Sequence, residues 1–313
     1  MEFTTLGRTE LRVSRMGLGC GGHSRLGLAN GASESESEAI VRSAISFGIN
    51  FIDTAESYGT EEVVGRAISR TPREKLVIST KAGVGWQERR CTGDEMRERV
   101  HACLARLRTD YIDIFHIHGL SLDDYMYASV ELLPVLLDLK LAGKIRYVGV
   151  TEAFGPDPGH RMMNRAVDDA FWDVVMVGFN ILNQSARSKI LVRTQEKAIG
   201  TLCMFAVRRA MSHPETLPDI IRNLVTEGAV DESRVDLEDP LGFVTAGGVA
   251  GSVQEAAYRF CLHEPGIDVV LSGTGNLAHL KSNVAALCGD PLPEEVATRL
   301  RTMFQRVDTI SGN

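Results

Sequence analysis

Three features that mark specialised classes of protein are missing from this sequence. No apolar run approaches the roughly 20 residues that span a bilayer, and no basic segment followed by an apolar one opens the chain. No long run of one charge accompanies the formal net charge of −7. Six cysteines occur without a C-x-x-C pair or a Cys/His spacing typical of zinc, at positions 20, 91, 103, 203, 261 and 288.

Each absence excludes a class of function. Without an apolar span or a targeting segment, we expect a cytoplasmic protein with no membrane partner. Without a basic stretch, we expect no nucleic-acid partner, and the ligand should be a small molecule. The scattered cysteines argue against a disulfide framework and against a metal centre. The oligomeric state cannot be derived from composition.

What is present favours one large α/β domain. The chain has 313 residues, of which 44% are hydrophobic and 24% are charged. That length suits a single barrel domain over residues 1–313, because α/β barrels run to roughly 200 to 250 residues or more.

Eight apolar, β-rich segments of strand length recur along the chain. The segments between them show helical periodicity; in 35–48, for example, acidic residues open the helix and Gly48 closes it. Strand followed by helix, eight times, predicts a (β/α)8 barrel. The predicted strands are 13–19, 49–55, 76–81, 112–118, 145–151, 174–180, 201–206 and 269–274.

Two segments stand outside this rhythm. The leading FTTLGRTELRVS is typical of a hairpin that could plug one end of the barrel. The stretch 207–254 is polar and rich in Gly, Pro and Asp. Because a loop of that length is usually functional or disordered, we predict a lid on the catalytic face.

Polar residues at the carboxyl ends of neighbouring strands are the candidates for chemistry. Asp53 ends the second predicted strand and Tyr58 follows it in the loop, while Lys81 and His118 end the third and fourth. Singly, each has an ordinary structural explanation, such as a helix cap, a packed aromatic or a surface charge. Together they fall at one depth on three adjacent strands, which favours a site.

These four side chains fit one kind of chemistry. The ammonium of Lys81 should lower the pKa of the Tyr58 hydroxyl from its usual value near 10. Asp53 should hold the lysine and keep it protonated, while His118 donates to the carbonyl oxygen that Tyr58 protonates. With a hydride donor placed opposite, the group is suited to carbonyl reduction.

The His-x-His pair in IDIFHIH also allows a metal site, and Lys81 allows a Schiff-base lyase. A metal needs further ligands at neighbouring strand ends, and none is evident there. A Schiff base needs a neutral lysine, which Asp53 opposes. We therefore predict that His118 acts and that His116, one layer deeper, is a hydrogen-bonded core residue.

The chain resembles the aldo-keto reductases through motifs that run in the family's order. They are GRTELRVSRMGLGCGG, FIDTAESYG, ISTKAG, DYIDIFHIH, GKIRYVGVT and GTGNLAHLKSNVAAL. The resemblance implies that Asp53, Tyr58, Lys81 and His118 form a catalytic tetrad with Tyr58 as the general acid. It also implies aldehyde, ketone or sugar substrates and a nicotinamide dinucleotide, usually NADPH.

Several positions depart from the family pattern around the nicotinamide. Thr151 and Glu152 replace the usual Ser-Asn after the fifth strand, and Met176 replaces a glutamine on the sixth. Asn180 is retained. The stacking aromatic after the seventh strand aligns with Met204, although Phe205 beside it could serve.

The segment SGTGNLAHLKSNVAAL should bind the dinucleotide phosphates at Gly273, Thr274 and Gly275, because a glycine-rich turn into a helix presents free N–H groups. By resemblance, Asn283 lies near the adenine, and Asn276 stands where NADPH-preferring relatives often place an arginine. Lys281, Arg208 or Arg209 could restore the missing charge. We predict NADP(H) with modest selectivity, and NAD(H) stays an alternative.

The glycine cluster 17–22 matches G-x-G-x-x-G, yet no helix follows it, so we place it in the first strand-to-helix loop. By resemblance this loop forms the substrate pocket, and we predict that His23 and Trp86 line it. An NAD-linked aldose 1-dehydrogenase and a non-catalytic redox-sensing subunit remain alternative functions.

Overall fold

The computed structural model describes residues 1–86 and 89–312, without the side chains of Trp86 and Pro214. Its strands alternate with helices, as the predicted order of segments requires. In chain order the strands are β1 Phe3–Thr5, β2 Arg12–Ser14, β3 Met16–Gly19, β4 Phe51–Asp53, β5 Val77–Gly83, β6 Gly85–Trp86, β7 Arg89–Arg90, β8 Ile112–Leu120, β9 Ile145–Glu152, β10 Val174–Gly178, β11 Gly200–Met204 and β12 Val269–Ser272.

Eight of these strands close into a parallel barrel in the order β3, β4, β5, β8, β9, β10, β11, β12, with β12 returning to β3. The predicted (β/α)8 barrel is confirmed, and every predicted strand segment overlaps one barrel strand. β1 pairs with β2 in an antiparallel hairpin, and β6 pairs with β7 in a second one above the barrel mouth.

Helices surround the barrel, and their boundaries follow from local sequence. The first of them begins after Ser33, whose hydroxyl accepts from the backbone N–H of Glu36 while the Glu36 carboxylate accepts from the N–H of Ser33. It ends before Gly48, which adopts the left-handed φ of +88° that a tight turn requires. Within residues 1–86 and 89–312, no helix is long and apolar enough to cross a membrane.

The α-helices of the described residues range in length from the 4 residues of α8 to the 15 of α3. In chain order they are α1 Glu34–Ser46, α2 Glu61–Ile68, α3 Gly93–Leu107, α4 Leu122–Tyr127, α5 Leu133–Leu141, α6 Arg161–Ala166, α7 Val192–Glu196, α8 Arg209–Ser212, α9 Leu217–Thr226, α10 Val253–Leu262, α11 Leu277–Leu287 and α12 Glu294–Phe304.

The amino-terminal hairpin closes the lower end of the barrel, as predicted. Leu6, Leu11 and Val13 are buried in a compact apolar cluster with residues at or near the starts of the barrel strands. These partners are Phe51, Val77, Ile114, Val174, Leu202 and Val269, and the cluster continues inside the barrel to Met176, Met204 and Phe154. Because this end is sealed by apolar packing, any ligand must enter from the opposite end.

The segment 207–254 is not the loop that its composition predicted. It contains α8 and α9, and α9 buries Leu217, Ile221 and Leu224 at helical spacing. The polar, glycine-rich residues are its exposed positions, so they obscured the buried face. Among its described residues, those that reach the carboxyl end of the barrel lie within 207–213, which limits any lid to that part.

Candidate active site

A buried ion pair lies at the carboxyl end of β4 and β5. Asp53 is 3% exposed and Lys81 is 1% exposed. The Lys81 ammonium donates to both Asp53 carboxylate oxygens, at 2.8 and 2.7 Å, and to the carbonyl oxygen of Thr54 at 2.6 Å. Ser79 donates to the same carboxylate at 2.7 Å. With every proton of the ammonium bonded, the pair can remain charged inside the protein.

The charge state of Lys81 follows from two opposed effects. Burial lowers the pKa of Lys81, but the charge of Asp53 and its hydrogen bonds raise it, and the net pKa lies above its usual value. The lysine therefore stays protonated at neutral pH. A neutral lysine, as Schiff-base chemistry needs, is not what this environment favours.

Tyr58 lies in the short turn after β4 and faces the same point. Its ring packs so closely on Gly21 that a Cβ there would come within 2.5 Å of Cε2. The Lys81 ammonium is 5.0 Å from the centroid of the Tyr58 ring. The Tyr58 hydroxyl is 3.4 Å from Nε2 of His118. The four predicted catalytic side chains thus converge from three neighbouring strands.

The pKa of Tyr58 shifts in the direction opposite to our expectation. Burial raises it, the nearby Lys81 charge lowers it, and burial outweighs the lysine so that the net pKa is raised. The sequence could not show how completely the ring is removed from water. The consequence is favourable for a proton donor, because the hydroxyl keeps its proton at neutral pH.

His118 is a neutral group in this environment. Burial above all, and then the positive charges of Lys81 and Arg99, together lower its pKa to about 3. Arg99 is held by Glu56 and donates to the carbonyl oxygen of Gly83 at 2.7 Å. A neutral imidazole can still donate one hydrogen bond, so His118 can orient a carbonyl oxygen without carrying charge.

His116 is buried as predicted, and its ring is close to the backbone of Val150, where the expected hydrogen bond can form. The ring occupies the space beside Gly149, where a Cβ would lie 2.2 Å from Nδ1. Among residues 1–86 and 89–312, no three His, Cys, Asp or Glu side chains come together as a metal site would require.

A cavity of about 720 Å³ opens above Asp53 and Tyr58, and Lys81 and His118 lie behind its lining. His23 lines it, and the Trp86 side chain lies outside the described residues, so its place in the pocket stays a prediction. The lining residues are Gly19, Gly21, Gly22, His23, Ser24, Asp53, Tyr58, Met176, Met204, Phe205, Val207, Arg208, Arg209, Ser212, His213, Tyr258, Leu271, Gly273, Thr274 and His279.

Half of the predicted cofactor residues line this cavity, namely Met204, Phe205, Arg208, Arg209, Gly273 and Thr274. Their position agrees with the prediction, although contact with a cofactor stays a prediction. Sequence reasoning did not select Tyr258, His213 or His279. They lie on α10, after α8 and on α11, and strand-end position, the signal that we used, does not reach such residues.

Three predicted cofactor residues instead bond within the protein. Thr151 accepts from the N–H of Gly119 at 2.7 Å, and the Asn180 amide donates to the carbonyl oxygen of Ser311 at 3.1 Å. Glu152 is 3% exposed and is hydrogen-bonded to other buried groups. None of the three lines the cavity, so contact of Thr151, Glu152 and Asn180 with a cofactor stays a prediction.

At the start of α11, a side chain of the protein itself binds backbone N–H groups of the helix. Asn276 caps the helix, with its side-chain oxygen accepting from the N–H groups of Ala278 at 2.8 Å and His279 at 3.1 Å. These two N–H groups at the start of α11 are therefore not free for a phosphate. The helix end is therefore a weaker anion site than its sequence suggested.

Gly275 and Asn283 do not line the cavity either. Gly275 lies against the first loop, and a Cβ there would come within 2.3 Å of the Gly27 Cα. Asn283 donates to the Ser272 hydroxyl at 2.9 Å. The first loop thus packs over the segment that we predicted to bind the dinucleotide.

A nicotinamide dinucleotide fits the remaining features of the cavity. Met176, Met204 and Phe205 offer apolar surface near Tyr58. Arg208 supplies a cation whose buried Nε has no hydrogen-bond partner among the described residues. Apolar surface suits the flat ring of such a ligand, and a cation suits its phosphates.

Comparison with known proteins identifies the family. The profile of the Aldo/keto reductase family matches residues 15–304. The chain belongs to this family. Aldo-keto reductase YhdN of Bacillus subtilis is 29% identical over 99% of this chain and 95% of its own length.

Two further similarities bear on the fold and on the cofactor. The NADH-specific methylglyoxal reductase of Escherichia coli is 30% identical over 64% of this chain and 65% of its own length. The holo form of aldo-keto reductase AKR11C1 from Bacillus halodurans superimposes with a TM-score of 0.74 at 23% identity, covering 99% of this chain and 98% of that one. This structural similarity supports the barrel fold.

Proposed function

We propose that this oxidoreductase reduces aldehydes or ketones to alcohols with a reduced nicotinamide dinucleotide, and that Tyr58 is the general acid. One observation carries the proposal. The protonated Tyr58 hydroxyl lines the cavity 3.4 Å from a neutral His118 and beside the buried Lys81–Asp53 pair. A proton donor, a neutral hydrogen-bond donor and a fixed positive charge at one point are what a carbonyl oxygen needs as it gains negative charge.

Each side chain has a separate part in the proposed reaction. His118 donates a hydrogen bond from Nε2 to the substrate oxygen and so orients the carbonyl group. Tyr58 transfers its hydroxyl proton to that oxygen, and the Lys81 ammonium stabilises the phenolate left behind. Asp53 keeps the ammonium in place. The nicotinamide, when bound, supplies the hydride that reduces the carbonyl carbon.

For the cofactor we propose NADPH with modest selectivity. Arg208 and Arg209 line the cavity and offer positive charge to a phosphate. Asn276 stands where an arginine would favour NADPH and is engaged in capping α11, which keeps the expected selectivity small. The name of the Escherichia coli relative specifies NADH, so the ratio of kcat/KM for the two cofactors on one aldehyde is the deciding measurement.

The experiment that tests the function is a screen of aldehydes, ketones and sugars with both cofactors in both directions. We expect reduction of at least one aldehyde class, abolished in Tyr58→Phe. Oxidation of sugars with NAD alone would favour the aldose 1-dehydrogenase. Tight cofactor binding without turnover of any substrate would favour a redox-sensing subunit.

A further inference from the structure

Behind the cavity wall, Glu152 and His160 form a buried pair. Both side chains are fully buried, and Nδ1 of His160 is 2.9 and 3.0 Å from the two carboxylate oxygens of Glu152. The same carboxylate accepts from the N–H of Gly178 at 2.7 Å. Nε2 of His160 has no partner among the described residues. Isolating two polar groups in this way costs free energy, so a purely structural role explains them poorly.

The pair continues into a stack of planar groups that reaches the cavity. The ring of His160 stacks on Phe154 with centroids 5.2 Å apart and planes 16° apart. Phe154 stacks on Phe205 at 6.1 Å and 17°. The guanidinium carbon of Arg208 lies 3.7 Å from the centroid of the Phe205 ring. We call these five residues, Glu152, His160, Phe154, Phe205 and Arg208, the planar column.

The backbone is adapted to the planar column at both ends. His160 has φ of 62° and Phe205 has φ of 67°, in the left-handed region that residues with a Cβ rarely adopt. At Gly178 a Cβ would lie 2.3 Å from the Phe154 ring, so only glycine leaves room for it. Strained positions persist where the surroundings hold them, and they concentrate at functional sites.

Arg208 is the member of the column that is prepared for a ligand. Burial lowers the pKa of Arg208, and among the described residues no neighbouring charge offsets that effect. Its Nε is buried without a hydrogen-bond partner in residues 1–86 and 89–312, although the residue lines the cavity. A guanidinium in this state gains most from an anion that enters the cavity.

We propose that Glu152, His160 and Phe154 are positioning residues that hold Phe205 and Arg208 ready for the cofactor, with Arg208 bonded to a phosphate of the dinucleotide. This inference rests on the proposed function, since it takes the cavity as the cofactor site. It gives Glu152 a role at a distance in place of the direct contact that its sequence position suggested. Glu152, His160 and Phe154 influence Arg208 through packing, because stacked planar groups restrict each other's orientation.

The test measures NADPH binding without turnover, by titrating the fluorescence of the reduced nicotinamide. Phe154→Leu removes the central ring, and Arg208→Gln removes the cation. We expect each to raise the Kd for NADPH roughly 10-fold or more, the loss typical of a hydrogen bond to a charged group. At saturating NADPH, kcat of Phe154→Leu should be largely retained, because Phe154 lies neither in the tetrad nor among the residues that line the cavity.

Phe260→Leu is the matched control. Phe260 is 4% exposed and stacks on Phe179 at 6.0 Å and 6°, and it does not line the cavity. It should lower the Tm by about as much as Phe154→Leu while leaving the Kd for NADPH unchanged. A general loss of packing would instead weaken binding in both variants.

A double variant separates positioning from independent contact. If Phe154 acts through Arg208, then Phe154→Leu combined with Arg208→Gln should bind NADPH no more weakly than Arg208→Gln alone. Multiplying effects, or an unchanged Kd in Phe154→Leu, would overturn the inference. If that variant does not fold, His160→Gln keeps a donor for Glu152 but removes the ring, and it should raise the Kd likewise. Failure of the wild type to bind NADPH or NADH would overturn the proposed function instead.

Discussion

The two ends of the barrel are built from the same strands but differ completely in chemistry. At the amino end, Leu6, Leu11 and Val13 of the hairpin pack against the strand starts in an apolar cluster. At the carboxyl end, Asp53 and Lys81 carry buried charges below a cavity of about 720 Å³. A parallel barrel can keep apolar packing at one end and charged groups at the other, because all its strands end on the same side.

The difference indicates that some substitutions should lower stability without lowering activity, and others should lower activity without lowering stability. Apolar burial at the amino end contributes to folding, and the hairpin residues Leu6, Leu11 and Val13 do not line the cavity. At the carboxyl end, charged groups are buried at a cost in free energy, which is typical of functional sites. Substitutions at the two ends should therefore produce opposite patterns of lost activity and lost stability.

The largest expected effect is on the rate. Tyr58→Phe should lower kcat for carbonyl reduction by about 10² to 10⁴, because it removes the proton donor. Cofactor Kd and Tm should stay close to wild type, since the ring that packs on Gly21 is kept. Steady-state kinetics and thermal melts of the purified variant measure both. A variant that keeps more than about a tenth of wild-type kcat would remove Tyr58 from this role.

Next in size is the loss of the buried ion pair. Lys81→Met leaves the Asp53 carboxylate, 3% exposed, with Ser79 as its remaining side-chain donor. Breaking such a pair costs about 3 to 5 kcal/mol, and activity should fall as well. Urea denaturation gives the free energy of unfolding. Lys81→Met combined with Asp53→Leu should recover part of the stability but none of the activity, which distinguishes an unpaired charge from lost packing.

The amino end should show the converse pattern. Leu6→Ala, at a side chain that is 0% exposed, should lower the free energy of unfolding by about 2 to 5 kcal/mol. Activity below the melting transition should be unchanged, because the hairpin lies at the end opposite the cavity. Kinetics at a temperature where the variant is fully folded provide the comparison. A matching fall in kcat would show that the two ends are coupled.

The smallest expected effect is a pH dependence of stability from His118. Its pKa falls from 6.5 to about 3 on folding, so the unfolded chain binds more protons between these values. The resulting stability is present above pH 6.5 and is lost as the pH falls, by about 2 kcal/mol between pH 7 and pH 5. Denaturation at both pH values should show a smaller loss in His118→Asn. An equal loss in the variant would contradict the neutral, buried histidine.

Much of this organisation could be predicted from residues that are neighbours in the chain. Period and length located the eight barrel strands, and the turn chemistry at Ser33 and Gly48 located the ends of α1. The alternation of strand and helix implied that polar strand ends share one face, which brought Asp53, Lys81 and His118 together. Local sequence patterns are sufficient where the position of a residue in a strand also determines its position in the barrel.

The same reasoning failed where burial or distant partners decide the outcome. Residues 207–254 look polar, but α9 packs an apolar face inward. Asn276 and Asn180 have side chains that could bind a ligand, but both form hydrogen bonds within the protein. Asn276 caps α11, and Asn180 donates to the carbonyl oxygen of Ser311. Sequence cannot show which of several possible partners takes a hydrogen bond, because those partners come from remote segments.

The sequence by itself determined the barrel and the identity of the four side chains at its mouth, since period, length and strand ends are local properties. Tertiary structure alone decided their protonation states, because the raised pKa of Tyr58 depends on how fully the ring is buried. It also decided the surroundings of Glu152, the last residue of β9, whose carboxylate is hydrogen-bonded to His160 and does not line the cavity. Desolvation and packing depend on atoms that are far apart in the chain and come together only in the folded protein.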